Sequence, residues 1–176
     1  MIYLTEFIIF AFIGWVVDSV GLSFEHKKLI ISGYVKGIPL CPIYGFGGII
    51  LINTFALMSQ YHYALTIMVS TFLIVALEFF GGWFAEHYLG EKLWNYSDEF
   101  INLHGHISIE HSFIWLSSVM FVYILIGTKI TTILKLANSY LAINPLLEIF
   151  IIFIVIVTYL ILVTETKKHR HLRMLQ

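Results

Sequence analysis

Residues 64–87 read ALTIMVSTFLIVALEFFGGWFAEH, with nothing charged before Glu78. About 20 mostly apolar residues in helical form cross a bilayer, and this stretch meets that length. The rest of the chain agrees with it. Of 176 residues, 59% are AVILMFWYC and only 12% are Asp, Glu, Lys or Arg, and the mean hydropathy is +0.88. A soluble domain averages roughly 45–50% apolar and about 25% charged, so half the expected surface charge is missing. A chain of 20.3 kDa cannot hide that much apolar surface inside itself. Soluble enzyme, nucleic-acid module and disordered tail are excluded. The solvent is a bilayer.

Working outward, about five stretches have spanning length: 3–22, 42–59, 64–87, 107–127 and 146–163. The fold class expected is an all-α polytopic transmembrane bundle, residues 1–166, followed by a basic cytoplasmic tail, 167–176. Between the fourth and fifth spans, TKITTILKLANSYLAIN (128–144) is polar at both ends with apolar residues at helical spacing. It fits a short helix in the interface or an ordinary amphipathic connector. The start, MIYLTEFIIFAFIGW, has neither a basic n-region nor a small-residue cleavage site, so it reads as a retained span. Lys and Arg mark cytoplasmic loops. With the N-terminus outside, eight of the ten lie inside and two, Lys129 and Lys135, outside. The expected topology is N-out, C-in, in the cell membrane. No internal repeat is visible, which argues against a transporter built from inverted repeats within one chain.

Ionisable residues inside spans are costly and point to function by default. Asp18, Glu78 and Glu86 qualify as acid/base or path-lining candidates, and Glu110, His111 and Ser112 open the fourth span. The structural alternative for each acid is a partner on a neighbouring helix or an interfacial carboxylate. Glu6 and Glu148 fall at outer ends within reach of water, and receive no role. Gly81 and Gly82, between Glu78 and Glu86, permit close approach of another backbone. Two loops bring further polar groups to the inner side. SGYVKGIPLCPIYGFGG (32–48) contributes Cys41 and Tyr44 beside Trp15 of the first span; GEKLWNYSDEFINLHGHISIEHS (90–112) contributes Trp94, Asn95, Tyr96, Asn102 and His104. Together these predict one polar pocket opening to the cytoplasm.

Metal is not expected, because His104, His106 and His111 form only a loose set without the HExxH pattern. No cofactor is expected either. No G-x-x-x-x-G-K-[ST] occurs, so the chain does not hydrolyse ATP by a P-loop. Cys41, next to Pro42, reads as a packed thiol rather than a nucleophile.

In order along the chain stand G-W-x-x-[ED] (Gly14, Trp15, Asp18), G-x-P-x-C-P-I-Y-G-x-G (Gly37 to Gly47) and L-E-x-x-x-G (Leu77, Glu78, Gly82). W-[DN]-Y-S (Trp94 to Ser97) and N-x-x-G-x-I-x-x-x-x-S (Asn102 to Ser112) follow. Over about residues 10–125 the chain resembles the CmpB-like bacterial family of type IV ABC transporter permeases, with the last span and tail outside the resemblance. The resemblance implies a permease partnered by a separate ATPase. It carries over no substrate or catalytic residue. Asp18 stands where Glu is usual, Asn95 where Asp is, His106 where Arg is, Ser108 where Cys is, and His111 where Asn is frequent.

Two functions follow. One is a transport-associated, permease-like subunit, its partners the bilayer and either a second copy of the chain or an ATPase subunit. The other is a membrane enzyme or binding protein acting on a lipid or isoprenoid headgroup at the inner leaflet. Net charge of −1 points to no nucleic acid.

Overall fold

The structure is a computed structural model. It describes residues 2–32, 39–90 and 92–129, together with single helical residues between 132 and 157. Four α-helices dominate: α1 (Ile2–Glu25), α2 (Pro42–Leu57), α3 (Tyr63–Phe84) and α4 (Ile109–Ile126). Among the described residues, three helical stretches are long and apolar enough to cross a membrane, Glu6–Phe24, Tyr63–Tyr88 and Ile109–Ile126, while α2 is apolar but shorter. The protein is a mostly helical membrane protein. Most of the expected fifth span and of the 128–144 segment, the basic tail and residues 33–38 of the first loop lie outside the described residues.

The helix ends follow from local chemistry. Pro42 begins α2, where its missing N–H costs nothing, and the Cys41 carbonyl accepts from the Tyr44 and Gly45 amides. Residues 44–48 are therefore helical, as the expected second span, 42–59, has them. His62 caps α3 through Nδ1, which accepts from the Ala64 amide at 3.3 Å. At its other end α3 passes into a wider π-helical turn, Ala85–Leu89, closed by Gly90 at a φ of 75°. The fourth span starts at Ile109 instead of 107, because the Ser108 hydroxyl accepts from the His111 amide and acts as N-cap.

Ahead of α4 lies an element the sequence reading did not anticipate. Two short antiparallel strands, β1 (Asn102–Leu103) and β2 (Ile107–Ser108), pair with Asn102 opposite Ser108 and Leu103 opposite Ile107. Their turn places both His104 (φ 55°) and Gly105 (φ 73°) in left-handed backbone, and the His106 amide donates to the Leu103 carbonyl. Two adjacent positive-φ residues suit the right-handed twist of a tight hairpin.

The chain divides into two compact units, Met1–Phe46 with Asn138–Gln176, and Gly47–Ala137. In the first, α1 receives the chain that returns to α2. Gly14 makes room for the Tyr44 ring, and Gly45 lies against the Phe7 ring and carbonyl. The Cys41 amide donates to the Ala11 carbonyl at 2.9 Å. In the second, Phe55 packs edge-on against Tyr123 at 5.1 Å, and Ile52, Ile67, Ile74, Ala85 and Val119 are buried. The buried residues of α3 are Thr66, Ile67, Ser70, Ile74, Glu78 and Gly82, mostly four apart and mostly small or polar. Small residues suit helix contacts in lipid, where close approach replaces the hydrophobic drive. Large apolar side chains face outward instead, among them Phe12, Val17, Phe72, Phe80, Phe113 and Phe121.

Candidate functional site

The expected polar residues fall into three groups, one in the first unit and two in the second. In the first unit the Asp18 carboxylate is almost fully engaged. Tyr44 Oη donates to Oδ1 at 2.6 Å, and Ser32 Oγ (3.3 Å) and Cys41 Sγ (3.7 Å) donate to Oδ2. Ser32 is fastened further: its carbonyl accepts from Trp15 Nε1 at 2.7 Å and its amide donates to Ser19 Oγ at 2.9 Å. Burial first, then the Asp18 charge, push the Cys41 thiol up to about 12. Such a thiol stays protonated at neutral pH and is a poor nucleophile. Trp15, Asp18, Cys41 and Tyr44 are thus brought together, with Ser19 and Ser32 added, as a clamp that holds the return loop on α1.

The second unit holds the more open chemistry. Glu78 is 4% exposed, in a helix long enough to span. Its Oε1 accepts from Tyr96 Oη at 3.0 Å, and the Trp115 indole also faces the carboxyl. Oε2 has no partner of hydrogen-bond geometry among the described residues. A buried carboxyl left half-satisfied is costly, and such groups cluster where function requires them. The Tyr96 ring stacks on His111 with centroids 3.8 Å apart. His111 Nδ1 lies 3.1 Å from both oxygens of Glu99, and the same carboxylate receives a short hydrogen bond from Ser108 Oγ. These hydrogen bonds, the Ser108 one foremost, hold Glu99 below the usual carboxylate range.

Glu99, Ser108 and His111 contain the residue types of a hydrolase triad but not its arrangement. A relay needs the acid on one imidazole nitrogen and the hydroxyl on the other. Here both fall on Nδ1, with Ser108 Oγ 3.3 Å away, and Ser108 already donates to Glu99 and caps α4. The trio fastens the hairpin to the helix.

A third group lies beside Gly82. A side chain there would meet His106 at 3.0 Å and Trp94 at 3.2 Å, so Gly82 admits side chains of the hairpin segment rather than the neighbouring backbone expected. Trp94 Nε1 donates to the His106 carbonyl at 2.8 Å. His106 Nε2 meets Glu86 at 3.1 Å, with Lys92 3.8 Å from the same carboxylate. Burial lowers the His106 pKa, opposed by Glu86. Glu86 is thus an ion-pair partner of His106 and Lys92.

The other expected residues serve the loop. Asn95 Oδ1 accepts from the Ser97 amide and hydroxyl; Asn102 bridges the Ser97 and Glu99 carbonyls to the Gly105 amide. The His104 carbonyl accepts from Lys92, Ser112 Oγ donates to the Ser108 carbonyl, and Glu110 is exposed on the first turn of α4, where negative charge suits the helix dipole. His106 and His111 point to different partners, Glu86 and Glu99, and no three His, Cys, Asp or Glu side chains gather as metal ligands among the described residues. Glu99, Ser19 and Ser32 were missed, since isolated polar residues, whether in a loop or, like Ser19, in a helix, carry no spacing signal. Glu6, set aside as water-accessible, is buried, and its Oε2 lacks a partner among the described residues.

A family model described as "Putative ABC-transporter type IV" (ABC_trans_CmpB) matches residues 5–164. The chain belongs to this family. The match extends past the motif-bearing region, 10–125, and takes in the expected fifth span, which the motifs had left outside. No curated protein and no solved structure matches the chain.

Proposed function

We propose that the protein is a multi-pass, permease-like subunit of a cell-membrane transporter, with its N-terminus outside, its basic tail in the cytoplasm and a cytoplasm-facing polar pocket at Glu78. The observation that carries this reading is the buried Glu78 carboxyl, one oxygen held by Tyr96, the Trp115 indole facing it and the other oxygen without a partner of hydrogen-bond geometry among the described residues, inside a helix of spanning length. Membership of a family described as ABC-transporter type IV supports it. With no P-loop in the sequence, ATP hydrolysis falls to a separate subunit. Asp18, with three donors on its carboxylate, acts as a structural anchor in this scheme, and Glu78 is the group that meets cargo.

Co-purification of the full chain with a nucleotide-binding subunit, followed by flux in proteoliposomes, tests the proposal. Glu78→Gln keeps the shape and the Tyr96 contact while removing the charge, and is expected to reduce ATP-dependent flux at least about tenfold with assembly intact. Full flux in this variant, or a chain that binds no ATPase and carries no flux with any candidate partner, overturns the reading.

A further inference from the structure

The segment joining α3 to α4 carries an apolar edge that none of the clusters above uses. Phe100 is 79% exposed, Ile101 58% and Leu103 48%. This exposure is imposed by the backbone. Ile101 has a φ of 57°, a left-handed conformation that a β-branched residue adopts only under constraint, and such strain persists where the surroundings over-determine it. The Glu99 amide donates to the Tyr96 carbonyl at 3.0 Å. Asn102 Nδ2 donates to the Glu99 carbonyl at 3.0 Å and the Ser97 carbonyl at 3.3 Å. The Glu99 carboxylate is held by Ser108 and His111. Glu99 and Asn102 turn onto their neighbours in the loop, while Phe100, Ile101 and Leu103 turn out. A loop standing in water does the reverse.

We infer that Phe100, Ile101 and Leu103 insert into the headgroup–acyl boundary of the bilayer, making this segment a lipid anchor. The occupant follows from continuity. The Ile101 carbonyl accepts at 3.1 Å from the amide of Ile109, the first residue of α4, so this backbone sits one hydrogen bond from the start of a helix of spanning length. Exposed Ile109 and Phe113 continue the apolar surface into that helix. On the α3 side, exposed Trp83, Phe84 and Tyr88 supply the aromatic composition of a membrane–water interface. Around the edge, Asp98, Glu99 and Glu110 outnumber Lys92, so attraction to anionic headgroups is not the drive; apolar burial is. The inference needs α3 and α4 to cross the bilayer and does not depend on what the protein carries.

The test uses the full chain in phosphatidylcholine nanodiscs, with Phe100→Cys carrying an environment-sensitive fluorophore and Asp98→Cys as reference. Cys41, its thiol pushed up to about 12, labels slowly at neutral pH, and the unsubstituted chain gives its background. Position 100 is expected to emit at shorter wavelength and to be quenched by shallow spin-labelled lipid about threefold more than position 98. Equal, water-like emission with equal weak quenching at both positions overturns the inference. So does a change at position 100 that arises only when a soluble protein is added, which would make the edge a protein-docking surface. Should Phe100→Cys fail to fold, Leu103→Cys is read in the same way.

Discussion

Asp18 and Glu78 are both acids within apolar helices, yet their surroundings assign them different work. Tyr44 Oη binds Asp18 at 2.6 Å, and a hydrogen bond to a charged group contributes about 1.5–3 kcal/mol. Tyr44→Phe is therefore expected to destabilise the protein by about 1–2 kcal/mol, the other two donors remaining, as read by denaturant unfolding in micelles. Tyr96→Phe leaves Glu78 with one donor fewer and should alter flux more than stability; unchanged flux would detach Tyr96 from the pocket. Much of this was legible in the sequence, because an acid in a span announces itself and Trp15, Cys41 and Tyr44 lie in motifs. What was illegible is which acid is satisfied. That depends on Ser32 and Trp115, one a loop residue that looks solvent-facing and the other an indole indistinguishable from a lipid-facing one.

At the scale of the element, the hairpin is the main discovery of the structure over the sequence. Strands of two residues are too short to show alternation, and the His104–Gly105 turn looks like loop composition. Gly105 has a φ of 73°, and a side chain there would meet Asn95 Oδ1 and Ser97 Oγ at 2.5 Å. Gly105→Ala is expected to cost about 1–3 kcal/mol, measured as lost amide protection in 95–108 with α1 unaffected. Acid should loosen the same element. Glu99 is held below its ordinary 4.5, so its contribution is complete above that value and is lost as pH falls through the lower, folded-state pKa. His106 is held below its ordinary 6.5 by burial, despite Glu86, with Lys92, His104 and His87 also acting to lower it. The unfolded chain then takes up the proton first, and stability begins to fall as pH drops below 6.5. Protection of the hairpin amides, corrected for the slower intrinsic exchange in acid, should fall in two stages on acidification, and protection that rises below pH 6 would contradict both signs. Asn95 in the place of a usual Asp fits the geometry, since its Oδ1 alone accepts from Ser97.

For the whole molecule, composition decided the membrane class before any element was drawn, because a deficit of charge is additive and needs no tertiary knowledge. The span positions followed from length, and the described helices fall on four of the expected stretches: the second begins at Pro42 as expected, the Ser108 cap moves the start of the fourth, and the third runs on into a π-helical turn. Side-chain partners between elements have no such linear signature, so which groups pair within each unit had to come from the structure. Orientation is tested at this scale. The distribution of Lys and Arg predicts that a tag after Gln176 is protected from external protease in intact cells while one before Met1 is cleaved, and the reverse pattern would invert the topology.

The buried residues of α3 have one more consequence. Thr66, Ser70, Ile74, Glu78 and Gly82 recur every four residues, whereas a helical turn takes about 3.6. Each step therefore rotates by about 40°, and from Thr66 to Gly82 the row winds about 160° while rising about 24 Å. Its ends meet different neighbours: the Thr66 hydroxyl donates to the Met58 carbonyl, and Gly82 lies under Trp94 and His106. The row is a screw thread, on which sliding and turning are one motion. One four-residue step of travel, about 6 Å with about 40° of turn, would set Ile74 or Gly82 before Tyr96 in place of Glu78, offering its hydroxyl a hydrocarbon or a bare backbone. The carboxyl at 78 indexes the thread.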